Sequence, residues 1–86
     1  MHTVDLLDEA LALVASLGYQ IRHEWLGGDG GGDCEIKGRK WLFIDLALSP
    51  SEQLDVVLDT LRREPRVWHA ELNSQLRHRL GVRKIA

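Results

Sequence analysis

Apolar residues recur along this chain at two spacings, and the alternation between them lays out the elements. Over residues 4–17, Leu7, Ala10, Leu11, Val14 and Leu17 fall on one stripe, while Asp5, Asp8, Glu9 and Ala12 lie mostly elsewhere. That spacing predicts an amphipathic helix, with Thr3 as its N-cap, Asp5 at the positive end of the dipole and Gly18 as its stop. Residues 19–26 then alternate: Tyr19, Ile21, His23 and Trp25 point one way, Gln20, Arg22, Glu24 and Leu26 the other. This is the period of a half-buried strand.

The stretch 27–33, GGDGGGD, is too rich in glycine to hold regular structure cheaply and reads as a loop between two antiparallel strands. A short strand over 34–37 turns at Gly38-Arg39 into a strongly apolar strand over 40–46. There Trp41 and Phe43 face one way and Leu42, Ile44 and Leu46 the other, as in a central strand covered on both sides. Asp45 interrupts the Trp41–Phe43 side and has three readings: a cap, an arginine partner or a solvated acid. Trp25 and Trp41 are expected on one sheet face.

Ser49, Pro50 and Glu52 form a capping box with proline at the first helical position. The helix over 50–63 buries Leu54, Val57, Leu58 and Leu61. After Pro65 a last helix is predicted over about 66–80, with Trp68, Leu72, Leu76 and Leu80 every four residues and Gly81 as its stop. Its narrow stripe either lies over the sheet edge or packs against a second copy. Residues 82–86 read as a short frayed basic tail.

The expected architecture is α+β: a single domain over residues 1–86, with a three-stranded antiparallel sheet, two packing helices and a C-terminal helix, in the order α-β-β-β-α-α. Eighty-six residues, 44% hydrophobic and 28% charged, suit one small folded domain. One cysteine removes any internal disulfide framework and points to a reducing cytoplasm. The acidic N-terminus lacks the basic region of a secretory signal, and no apolar run has the length to span a membrane.

The net charge of −2 is unevenly spread. From Arg62 onward seven basic residues stand against two acids, and the rest of the chain is acidic. This segment is read as a solvated face, as a surface for a phosphate backbone or acidic partner, or as one half of a head-to-tail self-attraction. The lack of a basic-and-aromatic motif disfavours nucleic acid.

Chemical signals are sparse. His69 and His78 are nine residues apart, which on a helix leaves them on opposite sides. His23-Glu24 begins like H-E-x-x-H but meets Gly27 in a strand context, so neither a metal nor a cofactor is implied. The glycine stretch is followed by a strand rather than a helix and lacks the Lys-Ser/Thr of a phosphate-binding loop. Cys34 and His23 would form a nucleophile–base pair if their strands were neighbours in the right register, against the plain reading of a small structural thiol.

The run FIDLALSPSEQLDVVL, through Ile44, Leu48, Ser49, Glu52 and Gln53, resembles the approach to the zinc-binding helix of ImmA/IrrE-type zincin-like metallopeptidases. The metal-binding H-E-x-x-H would then fall on Asp59, Thr60, Leu61, Arg62 and Arg63, none of which matches it. The resemblance implies a related scaffold without peptidase chemistry. The function expected from all this is a small bacterial-type, cytosolic, non-enzymatic interaction module. It would bind a protein partner or itself through Trp68, Leu72, Leu76 and Leu80. A Cys34–His23 enzyme and a weak nucleic-acid binder are the alternatives. A small-molecule ligand is neither indicated nor excluded.

Overall fold

Three helices and a three-stranded mixed sheet make up the fold in the computed structural model, which describes residues 2–81. Helix α1, Thr3–Ser16, begins one residue earlier than expected: His2 is its N-cap and offers no side-chain cap, and Thr3 lies within the first turn. Helix α2, Pro50–Arg62, starts on the capping box read from the sequence, with Ser49 accepting from the Glu52 N–H and Glu52 accepting from the Ser49 N–H. The two helices pack together and bury Leu6, Ala10 and Val14 against Leu54, Val57 and Leu58.

Strands β1 (Gln20–Glu24), β2 (Gly31–Ile36) and β3 (Arg39–Asp45) form the sheet in the order β1-β3-β2. This corrects the antiparallel sheet expected in chain order. β3 inserts between the other two, antiparallel to β2 and parallel to β1. Alternation fixes which face each side chain takes but not which strand it lies beside. The tight turn is Lys37-Gly38 rather than Gly38-Arg39. Both residues have positive φ, 52° and 79°, the mirror-image turn whose twist suits a two-residue hairpin.

Because β1 and β2 are the two edges, the chain between them must cross the end of β3. It does so through residues 25–30, a shorter loop than the glycine run suggested, since Gly31 and Gly32 already belong to β2. Gly31 pairs with Ile44 so closely that a Cβ there would lie 2.1 Å from the Phe43 carbonyl oxygen, at a φ of +70°.

The register sorts the two faces. Leu42 and Ile44 are fully buried under α2, and Ile21 of β1 and Asp33 of β2 share their side. The other face carries Arg39, Trp41 and Phe43 of β3, with Gln20, Arg22 and Glu24 on one flank and Gly32, Cys34 and Ile36 on the other. No helix packs there. The shortest dimension of the molecule, 16 Å, is that of one helix layer on one sheet layer. The expectation that β3 is covered on both sides is therefore corrected, as is the pairing of Trp25 with Trp41. Trp25 lies past the end of β1 and is 75% exposed.

The single C-terminal helix is also corrected. A 3-10 helix, Pro65–His69, is followed by an extended break and then by α3, Ser74–Leu80. Asn73 explains the break: it caps α3 by accepting from the Leu76 N–H, and its side-chain amide donates to Glu9. The basic tail, 82–86, lies outside the described residues. Among the described residues no helix is long and apolar enough to cross a membrane.

Candidate functional site

Leu72, Leu76 and Leu80, expected either to lie over the sheet edge or, with Trp68, to pack against a partner, are buried in the core of their own chain. The break before α3 separates them from Trp68, which sits in the 3-10 helix and is 52% exposed. The four-residue repeat crosses a helix boundary: Leu72 lies in the break, and Leu76 and Leu80 mark the buried side of α3.

Cys34 and His23 are kept apart by β3. Cys34 pairs with Trp41 on one side and His23 with Ile44 on the other, two strand spacings or about 10 Å across. Trp41 and Ile44 are an odd number of residues apart, so the thiol and the imidazole also lie on opposite faces. The premise of the pair, adjacent β1 and β2, does not hold. Among the described residues no group of three or more His, Cys, Asp and Glu side chains is placed to hold a metal ion.

Two carboxylates, Asp45 and Glu64, organise the polar interior; of the three readings open for Asp45, the structure shows the cap. Asp45 is fully buried and accepts four backbone hydrogen bonds. Leu26 and Ala47 donate to Oδ1 at 3.0 and 2.9 Å, and Gly28 and Gly30 to Oδ2 at 2.8 and 3.1 Å. Burial alone would raise its pKa, but these N–H donors outweigh it and hold the carboxyl below the ordinary range. Those loop amides, the kind that cradle a phosphate elsewhere, are spent on the chain's own anion.

Glu64 follows α2 and caps the 3-10 helix. Arg66 clamps it with Nε on Oε2 at 3.0 Å and a terminal nitrogen on Oε1 at 2.9 Å, and the Arg66 N–H adds a third bond. Lys40 at 3.2 Å and the Tyr19 hydroxyl at 3.1 Å complete the set. The Arg66 clamp, with Lys40 and Tyr19 behind it, overcomes the cost of burial and holds Glu64 far below the usual carboxylate range. Tyr19 is raised, first by burial and then by this carboxylate. An acid directly before Pro65-Arg66 was the only sequence signal for this cluster.

Beside it, Asp33 accepts from the Thr60 hydroxyl at 3.1 Å and from Arg63 at 2.6 Å, and Arg63 also pairs with Asp59. Burial works against ionised Asp33, but Arg63 and Thr60 prevail and lower its pKa. Three positions where the peptidase resemblance would put its H-E-x-x-H are thus engaged in holding a strand. A polar hollow of about 300 Å³ lies over Tyr19, Asp33, Lys40 and Arg63. Within it Arg63 pairs with Asp33, and Lys40 pairs with Glu64. Arg62 and Arg77 of the basic segment donate to the backbone carbonyls of Arg79 and Leu72.

The uncovered sheet face differs from all of this. At its centre the Trp41 and Phe43 rings stack with centroids 6.0 Å apart and planes 14° from parallel. Ile36, 47% exposed, and the exposed Cys34 extend the apolar strip along β2. Arg22 and Glu24 pair at 2.6 Å along β1. Arg39 has no ion-pair or hydrogen-bond partner for its side chain among the described residues. No family model, curated protein or solved structure matches the chain.

Proposed function

We propose that this domain is a non-enzymatic protein-interaction module of the cytosol that binds through the uncovered face of its sheet. The observation that carries the reading is the Trp41–Phe43 stack at the middle of a face that no helix covers. Rigid aromatic rings bury much area at small entropic cost, which is why they anchor protein contacts. The polar groups support the same reading. Glu64, Asp33 and Asp45 are each saturated by partners from their own chain, and each holds elements together. The scaffold suggested by the peptidase resemblance fits a body whose metal-binding positions have turned structural.

The test is cross-linked capture from cell extract with Trp41→Ser and Phe43→Ser, beside Trp68→Ser as a control off the face. Circular dichroism reports folding. Partners lost on the two face variants and kept on Trp68→Ser are the expected result. Partners indifferent to Trp41 and Phe43, or lost only with Trp68, would move the contact elsewhere.

A further inference from the structure

Building on the sheet face as the contact surface, we infer that its partner is a second copy of this chain, stacked face to face with the strands antiparallel. The register arranges the face in levels along β3. Arg39 stands at one end, Trp41 and Phe43 in the middle, and Glu24 at the other, level with the buried Asp45. One end is thus basic, with Lys37 in the adjoining turn. The opposite end carries Glu24, held by Arg22 through one carboxylate oxygen, with Asp29 in the adjoining loop.

A twofold axis along β3 would put Arg39 against Arg39 and bring the two Glu24 ends to the same level. An axis across the strands at the level of Leu42 reverses one copy. It brings Arg39 of each copy to the Glu24 end of the other, and sets Trp41 against Phe43. It also sets Cys34 at the level of Gly32 in the facing copy, where no side chain competes for space. The face is self-complementary in charge and in shape in this one orientation, the condition for a closed symmetric pair. Arg22 occupies only Oε1 of Glu24, and Oε2 remains for the facing Arg39.

Three strands of this length offer a patch of roughly 14 by 24 Å. This falls short of the ~800 Å² per partner of a standard stable interface. The pair is therefore reversible, exchanging in the micromolar range or weaker.

Sedimentation velocity of the full chain from micromolar to millimolar concentration reads it directly. The wild type is expected to shift from monomer to dimer. Arg39→Glu and Glu24→Arg should each weaken dimerisation at least about tenfold, because each sets like charges together at both ends. An equimolar mixture of the two variants should dimerise again, since every facing charge is then opposite; that recovery also shows both variants folded. A wild type monomeric throughout, a dimer indifferent to both substitutions, or a mixture that stays monomeric would each overturn the inference. If the chain is monomeric but Trp41→Ser still abolishes captured partners, only the second copy falls. If captured partners also ignore Trp41→Ser, the contact face falls with it.

Discussion

Asp45 and Glu64 are both sealed from solvent and both ionised, by different means. Asp45 faces four peptide N–H groups and no cation, whereas Glu64 faces a guanidinium, an ammonium and a phenol. Asp45→Asn turns an amide NH₂ toward donors that already point inward. The amide hydrogens of Gly28 and Gly30 should then exchange with solvent much faster, and Tm should fall by several degrees, as hydrogen exchange and calorimetry would show. Glu64→Gln leaves Lys40 and Arg66 free to turn to water, so its cost should be about 1–3 kcal/mol by urea denaturation at neutral pH. The pH sign follows from the lowered pKa. The contribution of Glu64 is whole above its unfolded value of 4.5 and drains away as pH falls below that. The gap between wild type and Glu64→Gln should therefore narrow on acidification. Asp45 was visible in the sequence as an acid interrupting an apolar strand, and Glu64 was not singled out. What each one holds was not visible, because their partners arrive from elements far along the chain.

At the scale of elements, the signals that worked were local. The capping box fixed the start of α2, and strict alternation fixed the two faces of β3. Strand order was not legible, because period two says which way a side chain points and nothing about its neighbour. The glycine run misled for a related reason: two of its residues, Gly31 and Gly32, are strand, and at Gly31 the close approach of β3 leaves no room for a side chain. Gly31→Ala should cost about 2 kcal/mol or more, since the added methyl meets the Phe43 carbonyl and the backbone is in the left-handed region. A thermal melt would show it, and a neutral result would mean that β2 sits further from β3. The C-terminal stripe failed because Asn73 starts a new helix inside it. Leu76→Ala should cost about 2–4 kcal/mol as a core truncation and leave association per folded molecule unchanged.

For the whole molecule, the governing fact is one sheet with helices on one side. Trp41 and Leu42 are sequence neighbours on opposite faces, so they separate stability from contact. Leu42→Ala should destabilise by about 3 kcal/mol, and Trp41→Ala should cost clearly less while being the one that abolishes association. The bare side was hidden from sequence reading because both faces of β3 are apolar. The strand order carries a further consequence, for how the chain comes together. β1 is made early and has no neighbour to bond with until β3 emerges some twenty residues later. The β2–β3 hairpin is the local pairing and the β1–β3 pairing the distant one, so the hairpin is expected to close first.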